Sequence, residues 1–119
     1  MTTTIETVTI DCTRPWELAQ FWSALLDWPI DDDNGPDDDE VGITPRVEGP
    51  APLLFIRVPD LKTAKNRIHL DLRPDDQLVE VERAIALGAT QSQIGQTGEE
   101  TWIVLADPEG NEFCILRAR

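Results

Sequence analysis

A chain of 119 residues with 40% hydrophobic residues is long enough for one domain with a buried core. Its 23 acidic residues outweigh 10 Lys and Arg, for a net charge of −13, and the scattered basic residues exclude a nucleic-acid-binding stripe. No apolar run approaches the roughly 18 residues that span a bilayer.

The first segment, Thr7–Cys12, alternates: Val8, Ile10 and Cys12 share one face, and Thr7, Thr9 and Asp11 the other. A helix should follow, with Thr13 as N-cap and Pro15 in its first turn. Leu18, Phe21, Trp22, Leu25 and Leu26 recur at helical spacing and form a wide apolar stripe that must lie on a sheet. Trp28-Pro29-Ile30 reads as a short edge strand, because proline cannot donate to a central ladder. The acidic run Asp31–Glu40 reads as a solvated surface loop. It does not spell an EF-hand, since counting back from Gly35 puts Ile30 at the first ligand position. Val41–Val47 and Pro52–Val58 should be strands, and Asp60–Asn66 a polar linker.

Beyond the linker the pattern returns. Thr7 aligns with His69 and Leu25 with Leu87 at one constant offset, so two copies of one structural unit are expected. Ile68, Leu70 and Leu72 should take the core face of the next strand, with His69 and Asp71 opposite. Pro74-Asp75-Asp76 should open a helix with Leu78, Val81, Ala84 and Ile85 on its apolar stripe, stopped by Gly88. Gln91–Ile94 is a candidate short strand. Trp102–Ala106 and Glu112–Leu116 are strands joined by the tight turn Asp107–Asn111. The order is βαβββ, twice, with modules spanning about 1–60 and 66–119 of a single domain.

Three stretches carry a family resemblance: Trp16–Trp28 in the first helix, Asn66–Leu72 opening the second half, and Asp107–Cys114 in the closing turn and last strand. Together, in this order, they resemble the vicinal-oxygen-chelate superfamily, particularly its glyoxalase-like members. The resemblance implies an α+β fold in which two paired βαβββ modules form a curved mixed sheet around a central cup. It also implies four metal-ligand positions in metal-dependent members. Here they fall on Thr7, on the carboxylate-free strand Leu53–Val58 with Arg57, on His69 and on Cys114. Only His69 matches, and one match in four does not hold a divalent ion that wants three or four donors. No bound metal is therefore expected, although Cys114 beside His69 keeps zinc open.

The candidate catalytic residues are His69, Asp71 and Glu112. His69 is the single histidine, and with a carboxylate two residues on it has the makings of a general base. The competing reading is a histidine hydrogen-bonded in a polar cavity. Asp11, Asp71 and Glu112 either share the cup, where they would raise one another's pKa, or splay into solvent. Candidate ligand-binding residues are Thr7, Thr9, Asp11, Arg57, Trp102 and Cys114. Burial as a small hydrophobe is the favoured role for Cys114 over that of nucleophile. There is no Gly-rich phosphate loop and no nucleophile elbow.

The function expected is binding, or metal-independent conversion, of a small organic molecule in the cup. The alternatives are a metal-dependent lyase, isomerase or dioxygenase, and a protein that sequesters a drug or toxin. The N-terminal residues lack the basic and apolar regions of a signal peptide. Two cysteines are too few for a disulfide scaffold. A cytoplasmic protein is thus expected, with no membrane or nucleic-acid partner. The resemblance allows the cup to close within one chain or in a homodimer.

Overall fold

The structure is a computed structural model that describes residues 2–91 and 101–119. Its chain divides into two compact units, one ending at Leu61 and the other beginning at Lys62. Each unit is a mixed sheet with one helix, so the fold is α+β.

In the first unit, β1 (Val8–Cys12) leads into α1 (Pro15–Leu26), then β2 (Glu40–Ile43) and β3 (Leu53–Arg57). The sheet order is β1-β3-β2, with β1 parallel and β2 antiparallel to β3. A parallel pair needs a crossover, which α1 supplies. Leu18, Phe21, Trp22 and Leu25 are buried with Val41, Ile43, Leu53 and Phe55, and Phe21 meets Trp22 edge to face with ring centres 5.4 Å apart. Arg14, not Thr13, takes the N-cap position, and Asp27 ends the helix in the left-handed conformation. The expected edge strand at Trp28–Ile30 shrinks to a single bridge between Ile30 and Ile43. The strand expected to reach Val47 ends at Ile43, just before Thr44-Pro45.

The acidic loop is built rather than merely solvated. The Asn34 side chain accepts from Gly42 N at 2.8 Å, Asp38 from Gly35 N at 2.8 Å, and Asp31 from the Thr44 hydroxyl at 2.8 Å. The Asp38 bond is of the local side-chain-to-backbone kind that Asx residues make in turns, and the other two tie the loop to β2 and the residue after it.

In the second unit, β4 (Leu70–Leu72), α2 (Gln77–Leu87), β5 (Thr90–Gln91), β6 (Trp102–Ala106) and β7 (Glu112–Leu116) form a sheet in the order β4-β7-β6-β5. Part of the expected Gln91–Ile94 strand lies outside the described residues. Asp76 caps α2 by accepting from Val79 N at 3.1 Å. The Asp107–Asn111 turn closes on the Asp107 carboxylate, which accepts from the backbone of Glu109 and Asn111 and from the Asn111 amide, while Gly110 supplies the positive φ of 88°.

Two core expectations are corrected in this unit. Ile68 is 77% exposed, not core. Leu70 pairs with Phe113, so Ile68 would have to pair with Asn111, whose amides are committed to Asp107. Leu78 is 66% exposed and Ile85 is exposed as well, while Val81 and Ala84 are buried. The helix is turned so that Gln77, in place of Leu78, faces inward with Val81 and Ala84 and donates to the Ile115 carbonyl at 3.0 Å.

Trp22 and Leu78 therefore test the two helix faces. Trp22→Ala should lower stability by about 3–5 kcal/mol, the usual cost of an excavated aromatic. Leu78→Ala should change it by less than about 1 kcal/mol. Urea unfolding midpoints check both, and an unmoved midpoint for Trp22→Ala would refute the packing.

Candidate functional site

A sheet covered by one helix has a second face, and alternation decides what stands on it. In the second unit Phe113 and Ile115 point into the core, so Glu112, Cys114 and Leu116 take the opposite face. Parallel register sets Asp71 beside Cys114, and antiparallel register sets Val104 on its other side and Trp102 beside Leu116. His69 lies two residues before Asp71 and keeps its parity. The sheet thus presents one row, Asp71–Cys114–Val104, flanked by Leu116 and Trp102.

These residues line a cavity of about 370 Å³, together with His69, Lys65 and Glu112. Val104, Leu116 and the half-exposed Trp102 give it an apolar floor. His69 and Asp71 form a polar edge, with His69 Nε2 3.3 Å from Asp71 Oδ1. This contact fixes the imidazole's orientation. Cys114 is 7% exposed. Burial pushes its thiol pKa up, the charge of Asp71 and a hydrogen bond to it add to the rise, and Lys65 opposes it. At neutral pH the group is a thiol rather than a thiolate, which disfavours it as an unassisted nucleophile.

Glu112 is held differently. Its Oε2, out of reach of solvent, has the Lys62 ammonium at 2.9 Å as its ion-pair partner. Asn66 donates its backbone N–H to Glu112 Oε1 at 3.4 Å and its side-chain amide to the Glu112 carbonyl at 2.9 Å. Burial alone would raise the Glu112 carboxyl, but the Lys62 contact and backbone hydrogen bonds outweigh it and leave the pKa below the ordinary value. Glu112 therefore fastens the segment carrying Lys65 and His69 against β7.

The structure thus brings five of the expected site residues together: His69, Asp71, Glu112, Trp102 and Cys114. The other four belong to the first unit. Thr9 and Asp11 stand exposed on β1, and Thr7 is half-buried just before it. Arg57 donates to Asp39 at 2.9 Å and to the Thr13 carbonyl at 3.0 Å, and lines a separate cleft with Val58 and Pro59. Sequence reasoning missed Lys65, Val104 and Leu116. Leu116 shares the parity of Cys114 and was legible; Val104 needed the register, and Lys65 sits in a linker with no periodicity.

The donor set also differs from the four positions read in the sequence. A His69 ring nitrogen, an Asp71 carboxylate oxygen and Cys114 Sγ all lie within 4.8 Å of one another. Asp71, absent from the family positions, supplies a third donor. The corresponding row of the first unit, Thr9–Leu54–Gly42, offers at most a hydroxyl.

Comparison with known proteins places the chain. Residues 7–116 match the family model described as "Glyoxalase-like domain", and the chain belongs to that family. Among solved structures it is similar to a glyoxalase/bleomycin resistance protein/dioxygenase family enzyme from Burkholderia phytofirmans PsJN, at 20% identity and a TM-score of 0.72, covering 96% of this chain and 98% of that one. It is also similar to a mutant of the fosfomycin resistance protein FosX from Listeria monocytogenes, solved with Mn(II) and dihydroxypropylphosphonic acid, at 14% identity and a TM-score of 0.71, covering 100% and 93%. A third is TnmS3, an antibiotic binding protein from Streptomyces sp. CB03234, at 15% identity and a TM-score of 0.64, covering 98% and 97%. At these identities the likeness is one of fold. Comparison with curated proteins gives no match.

The Glu112 anchor predicts a pH dependence. Its pKa is lower folded than unfolded, so its stabilising contribution is complete above the unfolded carboxylate pKa and fades as pH falls through the folded value. Glu112→Gln should therefore lower stability by a constant amount at and above neutrality and flatten part of the acid limb, where wild type loses the same contribution. An acid limb identical to wild type's would contradict the anchor.

Proposed function

We propose that the chain binds a small organic molecule on the open face of the second unit, with an apolar part over Val104, Leu116 and Trp102 and a polar group toward His69 and Asp71. The observation that carries this reading is the cavity itself. Its volume of about 370 Å³ falls in the range usual for small-molecule sites, and a few polar groups on an apolar floor are their usual lining. Asp71 and Lys65 offset one another in charge, and Glu112 is matched by Lys62. The lining thus favours a ligand with no large net charge. A flat or aromatic skeleton suits Trp102, whose ring can stack.

Conversion, if it accompanies binding, would use His69 as the base. Its imidazole is oriented by Asp71 and faces the cavity. Two fold relatives support small-molecule binding as such: one is described as an antibiotic binding protein and another was solved with a small organic acid. Sequestration of a drug or toxin is therefore a form of the same proposal. A second reading, metal-dependent lyase, isomerase or dioxygenase chemistry, is favoured by the convergence of His69, Asp71 and Cys114. An ion there would supply Lewis-acid polarisation of a ligand oxygen.

Screening aromatic and aliphatic carbonyl and hydroxyl compounds by calorimetry should yield binders that compete with one another. For any such binder, His69→Ala should weaken affinity about tenfold, the loss of one charge-assisted hydrogen bond. Trp102→Ala should weaken it at least as much, with folding stability little changed. Binders unaffected by both substitutions would place the site elsewhere.

A further inference from the structure

The chain is acidic overall, but the stretch that borders the cavity of the second unit is not. Between Lys62 and Arg73 stand four basic residues, Lys62, Lys65, Arg67 and Arg73, against one acidic residue, Asp71. These four cations are used differently. Lys62 lies 2.9 Å from Glu112 and Arg73 donates to the Arg117 carbonyl, so the fold holds both. Arg67 is exposed and is not among the residues that line the cavity. Lys65 does line it, and among the described residues no carboxylate forms an ion pair with its ammonium.

An ammonium has three hydrogen-bond donors and no acceptor. Here it borders a cavity whose floor is the apolar surface of Val104, Leu116 and Trp102. Its charge reaches the middle of the β7 row, where it opposes the rise that burial and Asp71 impose on the Cys114 thiol. A lone cation beside apolar surface selects an anion with an apolar body, because a charge-assisted hydrogen bond and hydrophobic burial then act together. Asp71 counts against an anion, but its Oδ1 already has His69 Nε2 at 3.3 Å. The chain's net charge of −13 also repels anions at long range. Exposed charges beyond about 8 Å are largely screened at physiological salt, however, whereas a contact pair within a cavity is screened far less.

We propose that Lys65 determines the specificity of this site: its ammonium receives the carboxylate of an organic monoacid whose aromatic or other apolar body lies on Val104, Leu116 and Trp102. A single negative charge is compatible with a lining that disfavours a large net charge. The inference rests on the small-molecule reading of the cavity and narrows it from organic molecules in general to organic acids. Lys65 is exposed and lies in the linker before β4, so its replacement leaves the Glu112 anchor and the sheet in place.

The probes are 2-naphthoate and its neutral isostere 2-naphthamide, which present one ring system with and without a charge. Binding of each to the full-length chain is measured by calorimetry at low and at physiological salt. The acid should bind about tenfold more tightly than the amide, and added salt should narrow the gap by weakening the acid alone. Lys65→Gln should bring the acid's affinity down to about that of the amide and leave the amide's within about twofold. Lys65→Arg, which keeps the charge, should retain most of the preference. Arg67→Gln removes an equal charge from the same linker outside the cavity and should cost the acid less than about twofold. Equal affinities for acid and amide would overturn the proposal. So would a preference that survives Lys65→Gln, a loss as large in Arg67→Gln, or no saturable binding of the acid. Amide binding that is weakened by Trp102→Ala would in each of these cases still uphold the small-molecule reading, so the two fail separately.

Discussion

Each unit pairs its first and last strands in parallel, and that constraint governs the rest. A parallel pair cannot be closed by a hairpin, so the chain must cross over, and here it crosses as a helix. One helix covers one face of a sheet. Side chains alternate with a period of two, so covering one face with Phe113 and Ile115 commits Glu112, Cys114 and Leu116 to the other. A slip of one residue in β7 would bury the carboxylate and expose the phenylalanine. Hydrophobic burial on the helix side thus decides which chemical groups stand on the open side.

The two units obey this rule with different residues. On the open face of the first, the row opposite the helix is Thr9, Leu54 and Gly42. In the second the corresponding row is Asp71, Cys114 and Val104, with His69 just before it. The internal repeat is therefore one of architecture and not of chemistry. Polar donors concentrate on the open face of the second unit, while two arginines of the first are held in structural contacts. Arg57 is spent on Asp39 and the Thr13 carbonyl, and Arg46 on Asp27.

Much of this was legible in the sequence, and the reason differs by element. β6 and β7 were read to the residue, because an apolar run on each side of Asp-Pro-Glu-Gly-Asn leaves little freedom of register. The buried face of α1 was clear from five large apolar residues at helical spacing. In α2 Val81 and Ala84 are buried as read, but Leu78 and Ile85 are not, because Gln77 turns inward to the Ile115 carbonyl and no hydropathy pattern records that bond. Ile68 was read as core because alternation was extended past the point where the Asp107 turn ends the ladder. His69 with Asp71, and Cys114 beside His69, were read as sharing a cup, but which side chains adjoin depends on register between strands over forty residues apart. The metal count missed Asp71 for the same reason, since it followed the family's positions instead of the neighbours that β7 provides.

The claim at the centre of this account is that the row Asp71–Cys114–Val104 is the working surface of the protein. The most direct test is a crystal structure of the chain soaked with any binder found by screening. The account predicts density for the compound against Val104, Leu116 and Trp102, with a polar atom within hydrogen-bonding distance of His69 or Asp71. A compound seated instead in the Arg57–Asp39–Thr13 cleft, with the open face of the second unit bare, would contradict it.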